Sequence, residues 1–510
     1  MVVRCRRALP LVLGCGVLLA GCRGVGAEAL SHWPVPPPPE PTAQRPQLWV
    51  ALAARLGEAP LTLRAAGGSL QASDARGQRL NGPELQLRWQ WLPLPQPQMI
   101  RRWVVGPFAS FEAAEQAALA WRRQGVTAQV AHPGEWEVWA PATSPAAAAA
   151  PAGFTARLVE QRLQQRRVLQ GRGAAEGWRP LAGPVQIQAP QGLRWQGGVF
   201  AGPFRLQADA SDRWTLIEQV PLERYLLGVV PHEIGAGSPA AALGAQAVLA
   251  RTWALRNRHR FAVDGYHLCA DTQCQVYGDP RQAGAAVRQA VAGSAGRVLA
   301  WRGEPIHAVY HASNGGVAAN ENEAWPLPEL PYLEPFLDWS SQGRPPVGLP
   351  LAQPQQLQEL LSRSQGAYGA GHPRFRWRRL ITEADLRQAV AERAAALGEP
   401  LRPLVLERGP SGRVVRLAIA GSAGREVLVR DAIRRRLRQL PSTLFVVQSA
   451  GPGQWWFEGG GFGHGAGLSQ AGAIDLAGRG WSLERILSHY YPGTTLLPLE
   501  RLRGGSSGGP

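Results

Sequence analysis

The chain contains no lysine, few cysteines and no long apolar run after its first two dozen residues, and each of these gaps excludes a class of protein. All 54 basic side chains are arginine, against 37 acidic ones, and they are scattered along the chain. A nucleic-acid-binding protein usually clusters mixed lysine and arginine, so the pattern does not favour a nucleic-acid partner. Five cysteines are too few for a disulfide scaffold. With 45% apolar and 18% charged residues, global disorder is excluded as well.

Glycine and proline are abundant instead. Sixty glycines and 44 prolines favour many turns and linkers over a helical bundle, and no Gly-X-Y period indicates collagen. A chain of 510 residues is expected to form two to four structural units. The net charge of +17 gives a surface that favours polyanions in general.

The first 22 residues have the pattern of an export signal. Three arginines precede an apolar stretch from Ala8 to Ala20, which is shorter than the ~20 residues of a membrane-spanning helix. The segment ends in Leu-Ala-Gly-Cys, which resembles a bacterial lipobox and makes Cys22 a candidate for lipidation. Plain signal cleavage a few residues later is the alternative. We therefore expect an exported, periplasmic or cell-envelope protein, held at the membrane by a lipid anchor.

Two breaks of biased composition divide the rest of the chain. Residues 23–47 are proline-rich and predict a stiff, extended tether. Residues 141–153 (PATSPAAAAAPAG) predict a linker. Between them, residues 48–140 predict a small α/β module, and residues 154–499 predict one larger region of the α+β class, with β-rich parts and an Ala-rich helix. Residues 500–510 are interpreted as a Gly-rich tail.

One passage of the small module carries a resemblance of its own. From Trp103 to Trp121 the sequence predicts a strand, a Gly-Pro turn, an N-cap at Ser110 and an amphipathic helix, with Gly125 as the stop signal. This passage resembles half of a SPOR-type repeat, which implies binding to bare peptidoglycan glycan. An ordinary strand–helix unit is the alternative.

Strand spacing gives way to helical spacing at Pro221. Residues 220–234 read VPLERYLLGVVPHEI, with apolar side chains at helical intervals. A second, Ala-rich helix is predicted from Pro239 to about Arg260, with Ser238 as its N-cap.

The first of these helices leads to a carboxylic acid. Pro231 disfavours helical geometry at the residue before it, so the helix should end or kink ahead of Glu233. The C-terminal end of an apolar helix disfavours ionisation of a nearby carboxyl group. The sequence therefore predicts a raised pKa for Glu233, which is what a proton donor near neutral pH requires.

Four sequence blocks in a fixed order carry a family resemblance. They are VPLERYLLGVVPHEI with SPAAALGAQAVLARTWAL, then DTQCQVYG (271–278), then AVYHASNGG (308–316), then GGGFGHGAGLSQAGA (459–473) with ILSHYYPGTT (486–495). Together they resemble the stage II sporulation protein D/LytB amidase-enhancer family over roughly residues 155–499. A single Gly-rich loop would be weak evidence, whereas four ordered blocks are specific.

The resemblance implies a peptidoglycan lytic transglycosylase that acts on glycan stripped of its stem peptides, with Glu233 as the sole acid/base. A glycoside hydrolase normally needs a second carboxylate ~5–9 Å away, and the blocks contain no obvious one. A lytic transglycosylase needs none, because the substrate's own 6-hydroxyl attacks and closes a 1,6-anhydro ring. Ile234-Gly235 follows the acid where the family often has Met-Pro, which frees the backbone just beyond Glu233.

Eight further polar residues of the blocks are expected to line a cleft and bind substrate: Gln246, Arg251, Tyr277, Ser313, Asn314, His464, Ser469 and Gln470. His464 is expected to orient a substrate hydroxyl or the acid, and a hydrogen-bonded core histidine is the alternative. The glycines around His464 lack the context of a phosphate loop. They are interpreted as letting the backbone approach a sugar ring or a neighbouring strand.

Cys269 and Cys274 are the only cysteines after the export signal. Some members of the family hold zinc in a Cys-x-x-x-His-Cys segment, and here Gln273 stands where that histidine would be. His267 and His259 are the substitute candidates, which leaves a structural zinc site open, although a closed site needs four ligands. A disulfide between Cys269 and Cys274, which an exported protein permits, and two free thiols are the alternatives. The implied reaction requires no cofactor.

The sequence thus predicts an α+β catalytic region behind a tether, with peptidoglycan glycan strands as substrate. Two rival predictions remain. One is a non-catalytic enhancer of a cell-wall amidase, because part of the family is named for that role. The other is a glycan-binding scaffold.

Overall fold

A computed structural model of the protein describes residues 29–44, 46–173 and 177–503. The predicted export signal, with the lipidation candidate Cys22, lies outside the described residues, as does most of the predicted tail 500–510. Over the described ranges, helices and strands mix in several sheets, which confirms the α+β class. No helix in these ranges is both long and apolar enough to cross a membrane.

The elements follow in chain order. Up to residue 221 they are β1 (Gln47–Leu56), β2 (Leu61–Ala65), β3 (Leu70–Ser73), β4 (Arg79–Gly82), β5 (Glu84–Phe108), α1 (Phe111–Arg123), β6 (Gln129–Ala131), β7 (Trp136–Pro141), β8 (Arg157–Arg172), β9 (Arg179–Leu181), β10 (Val185–Gln188), β11 (Leu193–Trp195), β12 (Gly198–Phe200), β13 (Phe204–Ala208) and β14 (Trp214–Pro221). The middle of the chain forms α2 (Leu222–Val230), a π-helical turn (Pro231–Gly235), α3 (Ala240–Arg256), β15 (Leu268–Cys269), α4 (Ala285–Gly293), β16 (Arg297–Trp301), β17 (Glu304–Pro305), β18 (Tyr310–His311), β19 (Val317–Ala318) and β20 (Phe336–Leu337). The last part forms α5 (Pro354–Ser362), β21 (Arg376–Thr382), α6 (Glu383–Ala389), α7 (Ala394–Leu397), β22 (Arg402–Arg408), β23 (Val414–Ala420), β24 (Arg425–Val429), α8 (Asp431–Arg436), β25 (Phe445–Gly451), β26 (Gln454–Gly460), β27 (Leu468–Ser469), α9 (Gln470–Gly478), α10 (Leu483–Tyr490) and β28 (Thr495–Pro498).

Two large sheets contain all fourteen strands that precede α2 in the described part of the chain. One has the strand order β15-β1-β14-β13-β10-β3-β4, and the other β12-β11-β2-β5-β7-β6, with β8 alongside β5. Strands from before residue 141 and from after residue 153 share both sheets. This differs from the expectation that residues 48–140 form a separate module. Strands β1 and β2 pair with β14 and β11, which lie beyond the predicted linker. This pairing covers strand edges that a separate module would leave exposed.

The proline-rich segment does not stand free of the protein. Leu30 exchanges backbone hydrogen bonds with β5, and the carbonyl oxygen of Pro39 accepts a hydrogen bond from His267 Nε2 (3.1 Å). Glu40 forms an ion pair with Arg258 (2.5 Å). An extended proline-rich backbone has no internal hydrogen bonds, so its carbonyl groups remain free to accept from neighbours. The described part of the predicted tether therefore lies along the body of the protein, which corrects the expectation of a free spacer.

The helix predicted in the first region is present. α1 begins after Ser110, whose Oγ accepts a hydrogen bond from the backbone N–H of Ala113 (3.3 Å), as predicted for the N-cap. Phe111 and Trp121 lie on the buried face of α1, and the ring of Phe111 packs edge-on against Trp136 of β7. The likeness of this passage to a SPOR-type repeat stays a prediction.

The regular helix α2 ends at Val230, and the chain continues as the π-helical turn that contains Glu233. This confirms that Pro231 ends the helix before the acid. Tyr225, Leu226 and Val229 of α2 are buried in the same core as the first sheet. The turn that carries Glu233 is thus held at one end by a packed helix.

The Ala-rich helix α3 lies in the protein interior, and every residue from Ala242 to Leu255 is buried. Small alanine side chains let neighbouring helices approach closely, and α2, α4 and α10 all pack against α3. Ser238 does not cap this helix as predicted, since its Oγ donates to the carbonyl oxygen of Ile234 (2.7 Å) and Pro239 is the N-cap. Ser238 instead helps to close the turn after the acid.

Candidate active site

Glu233 lies where α2 gives way to the π-helical turn, and its carboxyl group faces the loop that follows the cysteine pair. The backbone N–H of Val276 donates a hydrogen bond to Glu233 Oε1 (3.1 Å). The same loop is tied to α2 by a hydrogen bond from Gly278 N–H to the carbonyl oxygen of Gly228 (3.0 Å). The second and first sequence blocks therefore meet at the acid.

A chain of buried polar side chains approaches Glu233 from the protein interior. The hydroxyl of Tyr225 donates to Gln275 Oε1 (3.1 Å), and Gln275 Nε2 donates to the hydroxyl oxygen of Tyr310 (2.9 Å). The hydroxyl of Tyr310 in turn hydrogen-bonds the carboxyl group of Glu233. Because Gln275 already supplies a proton to the Tyr310 oxygen, the Tyr310 hydroxyl is oriented to donate to the acid.

Burial dominates the titration of Glu233 and raises its pKa from 4.5 to about 7. The hydrogen bonds from the Val276 N–H and from Tyr310 act in the opposite direction, because both stabilise the ionised form. No carboxylate of the described chain is among the groups that shift this pKa. Glu233 is therefore an acid that changes protonation state near neutral pH, as the sequence predicted.

His464 contacts the backbone of Tyr310 and does not point toward the carboxyl group of Glu233. Its Nε2 donates to the carbonyl oxygen of Tyr310 (2.9 Å), and its Nδ1 accepts from the N–H of Ala466 (3.2 Å). Its ring lies 4.8 Å from that of Trp325 and 5.0 Å from that of His311. Burial lowers the pKa of His464 to about 3, so the ring is neutral. The expectation that it orients a substrate hydroxyl directly is wrong here, because both ring nitrogens are already paired with backbone groups.

The glycines beside His464 permit close approach of protein to protein. Gly463 has φ +115°, and a Cβ there would lie 2.6 Å from the side chain of His311. Gly465 has φ +89°, and a Cβ there would overlap the guanidinium of Arg413. The strand that follows, β27, pairs in parallel with β18, which carries Tyr310. Of the two roles predicted for this block, the approach to a neighbouring strand is the one observed.

Arg251 and Tyr277, predicted to bind substrate, are interior residues. Arg251 has no exposed surface, and its guanidinium contacts Glu223 of α2 through two hydrogen bonds (2.6 and 2.8 Å). The hydroxyl of Tyr277 donates to Glu218 Oε2 (2.9 Å) inside the core. Both expectations are corrected, because each polar group is buried and paired with an acid of the protein, Arg251 with the partly exposed Glu223 and Tyr277 with the buried Glu218.

The four predicted cleft residues of the last two blocks, and Gln246, are buried as well. Gln470 Nε2 donates to Gln246 Oε1 (3.2 Å), joining α9 to α3. Asn314 Nδ2 donates to Asp338 (2.7 Å), and Ser469 Oγ caps α9 by accepting from Gly472. Ser313 pairs through its backbone with Phe462. These residues connect elements of the fold through buried hydrogen bonds, and they do not contact the carboxyl group of Glu233.

Cys269 and Cys274 form a disulfide. The bond leaves neither thiolate free to ligate a metal, so the zinc alternative for this segment is not supported. His267 is committed elsewhere, since its Nδ1 accepts from the N–H of Trp49 (2.8 Å) and its Nε2 donates to Pro39. Over the described ranges, no group of three or more His, Cys, Asp or Glu residues is placed to hold a metal ion.

The sequence reasoning missed three groups that contact or orient the acid: the Val276 N–H, Gln275 and Tyr310. All three lie inside the quoted blocks, so their position in a block was a signal that they belong to the site. Which tyrosine of AVYHASNGG or of CQVYG reaches the acid depends on the pairing of segments far apart in the chain, and residue spacing carries no information about it.

Comparison with known proteins supports the family resemblance. Residues 210–301 match the family described as Stage II sporulation protein, and residues 319–467 match one described as Domain of unknown function (DUF8618). The chain is 28% identical over 297 residues to the amidase enhancer of Bacillus subtilis (strain 168), a match that covers 53% of this chain and 40% of that protein. It is 28% identical over 304 residues to Stage II sporulation protein D of Bacillus amyloliquefaciens, covering 55% of this chain and 75% of that protein.

The B. subtilis Stage II sporulation protein D is 27% identical over 305 residues, with 55% of this chain and 75% of that protein covered. The chain thus spans less than half of the amidase enhancer and about three quarters of the two sporulation proteins. The resemblance to the stage II sporulation protein D and amidase-enhancer family is confirmed by these matches.

Proposed function

We propose, from this family similarity and from the environment of Glu233, that the protein is a lytic transglycosylase that cleaves MurNAc–GlcNAc bonds of peptidoglycan glycan strands. The observation that carries the proposal is the half-buried carboxyl group of Glu233, whose pKa burial raises to about 7 and which is held by the Val276 N–H and the Tyr310 hydroxyl. A donor with a pKa close to the working pH is the most effective general acid.

The proposed reaction uses the one carboxyl group twice. Protonated Glu233 donates its proton to the glycosidic oxygen as the bond from this oxygen to C1 of the muramic sugar breaks. The resulting carboxylate then accepts the proton of the 6-hydroxyl of that sugar as its oxygen bonds to C1, which forms the 1,6-anhydro ring. No water is consumed and the acid ends protonated, so no second carboxylate is required.

Val276 and Tyr310 have complementary parts in this scheme. Both donate hydrogen bonds to the carboxyl group, and both therefore stabilise the ionised form that exists between the two proton transfers. They also fix the direction in which the acid faces, which compensates for the freedom that Gly235 gives the backbone just after it.

The proposal extends to location and partners. We propose that the protein is exported to the cell envelope, with Cys22 as a lipid attachment site, and that its substrate is glycan from which stem peptides have been removed. The proposed reaction uses no cofactor.

The decisive test is the product made from denuded glycan strands. Wild-type protein is expected to release 1,6-anhydro products, detected by mass spectrometry, and Glu233→Gln to release none. Glu392→Gln, which changes an exposed acid in the segment between α6 and α7, is the matched control and should behave as wild type. Anhydro products from Glu233→Gln would overturn the proposal.

The rival role is enhancement of an amidase without cleavage of glycan, which the name of the B. subtilis relative describes for that protein. In that case wild type and Glu233→Gln would stimulate a cell-wall amidase equally, and neither would release anhydro sugars. Running the amidase assay on the same three proteins separates the two roles.

A further inference from the structure

A cavity of about 550 Å³ opens beside the loop that holds the acid, and Glu233 does not line it. Its walls come from β2, from the β11–β12 hairpin and from the segment after Tyr277. Its volume falls in the ~300–1,000 Å³ range of small-molecule sites. Arg64, Arg194, Arg281 and Trp195 are among its lining side chains.

Two of these arginines are direct neighbours on adjacent strands. Arg194 of β11 is the register partner of Arg64 of β2 in the antiparallel pair. Like charges placed opposite one another in a sheet are destabilising. The pair therefore lowers the stability of the sheet unless a group of opposite charge offsets the repulsion. Arg64 is compensated by Glu84 (2.9 Å). Arg194 makes no ion pair within the described part of the chain, and its Nη2 donates only to the carbonyl oxygen of Ala66.

The remaining charges leave the cavity positive. Arg281 pairs with Asp279 (2.8 Å), and Asp279 is the acidic residue among the lining side chains. The indole N–H of Trp195 donates to the carbonyl oxygen of Leu52 (3.3 Å), which fixes the orientation of the ring at the wall. The cavity thus combines an uncompensated guanidinium with a held aromatic ring.

The cavity and the acid share one loop. Val276 holds Glu233 at the start of this loop, and Asp279 accepts a hydrogen bond from the N–H of Val199 (2.9 Å), which ties the other end to the β11–β12 hairpin. From Val276 to Gln282, a lining residue, the chain spans at most ~20 Å. A glycan strand a few sugars long covers such a distance.

We propose that this cavity is a second binding site for the glycan strand, which takes a carboxylate-bearing N-acetylated sugar several positions away from the bond that is cut. The lactyl carboxylate of a muramic residue would pair with Arg194, and the apolar face of its ring would lie on Trp195. The inference rests on the proposed function, since it assumes that the same strand reaches Glu233.

The test measures binding without cleavage, in the Glu233→Gln background, by isothermal titration calorimetry. The probes are denuded peptidoglycan strands, which carry lactyl carboxylates, and N-acetylglucosamine oligomers of the same length, which carry none. Arg194→Gln is expected to weaken binding of the denuded strands about fivefold, because an exposed charge pair contributes modestly. Arg194→Gln with Arg64→Gln should weaken it further. Binding of the neutral oligomer should be unchanged in both variants, which also reports that they are folded.

Arg402→Gln, an exposed arginine on β22, is the control and should bind both probes as the parent does. Higher salt should reduce the difference between the two probes in the parent and much less in Arg194→Gln. Equal affinity of parent and Arg194→Gln for denuded strands would overturn the site. Release of anhydro products by the wild type is measured separately, so a protein that prefers acidic strands but cuts none would overturn the proposed function and leave the site in place.

Discussion

A carboxyl group in water titrates near 4.5, whereas burial holds that of Glu233 in its protonated form up to about pH 7. The groups around it do not remove this effect, although Val276 and Tyr310 both favour the ionised form. The same environment that suits the acid for proton transfer therefore opposes folding when the acid must be charged. This conflict yields two predictions for single residues.

The first prediction concerns stability. The pKa of Glu233 is higher in the folded protein than in the unfolded chain, so folding takes up a proton between about pH 4.5 and pH 7. The contribution of this group to the free energy of unfolding is therefore fully present below pH 4.5 and is lost as the pH rises through 7. Glu233→Gln removes the effect. The variant should be more stable than wild type at pH 8, by on the order of 1–3 kcal/mol, and similar to it at pH 4.

Chemical denaturation at the two pH values measures the difference. Glu392→Gln serves again as the control and should show no pH-dependent gain. An equal offset between Glu233→Gln and wild type at pH 4 and pH 8 would contradict the buried-acid interpretation.

The second prediction concerns Tyr310. Tyr310→Phe removes a hydrogen bond that favours ionised Glu233, so the pKa of the acid should rise. The decline of kcat/KM at high pH should then move to higher pH, while kcat falls by roughly tenfold because the carboxylate loses support. Tyr266→Phe, a buried tyrosine stacked on Phe261, is the control. A rate loss with an unmoved pH profile would mean that Tyr310 acts through packing alone.

Among the elements, α2 and α3 are joined by the ion pair between Glu223 and the fully buried Arg251. Glu223→Gln leaves Arg251 without its counter-charge inside the protein. Loss of one member of a buried pair costs about 3–5 kcal/mol, and since the Glu223 side chain is 37% exposed, we expect about 2 kcal/mol less stability. Glu484→Gln, which breaks the exposed pair with Arg297, should cost less than about 1 kcal/mol. Thermal unfolding of the two variants compares them, and equal losses would contradict this account.

Element boundaries near the acid could be predicted from local rules, and those farther away only in part. Pro231 determines where α2 ends because proline acts on its immediate neighbours. Farther from the acid, the sequence predicts one helix over residues 382–397, whereas the structure has two short helices, α6 and α7, separated after Ala389. The sequence predicts that Arg251 of α3 lines a cleft, whereas the structure buries it, because residue spacing does not distinguish a side chain that faces a cleft from one that faces the core.

For the whole molecule, long-range pairing is the part that the sequence did not reveal. β1 pairs with β14 across more than 150 residues, and this pairing brings the predicted N-terminal module and the region after the linker into one sheet. Register of this kind depends on which strand edges remain available, and no local pattern encodes it. The four blocks were identified through the family resemblance, which supplied what spacing could not.

Asp338 joins segments that lie far apart in the chain through hydrogen bonds to its side chain. Its buried carboxylate accepts hydrogen bonds from Asn314 (2.7 Å), from His489 (2.8 Å) and from Tyr490 (3.0 Å). Asp338→Asn replaces one accepting oxygen by a donor and leaves partners unsatisfied. We expect a loss of about 3 kcal/mol in the free energy of unfolding, measured by urea denaturation, with Glu392→Gln as the unaffected control. A loss below about 1 kcal/mol would show that these contacts are dispensable.

The proline-rich segment lies along the body of the protein, and this affects how far the body could stand from a membrane anchor. Because Leu30 pairs with β5 and Pro39 bonds to His267, this segment adds no free length between the body and a lipid on Cys22, if the proposed lipidation occurs. The body would then be held closer to the bilayer than a free, extended proline-rich spacer would allow.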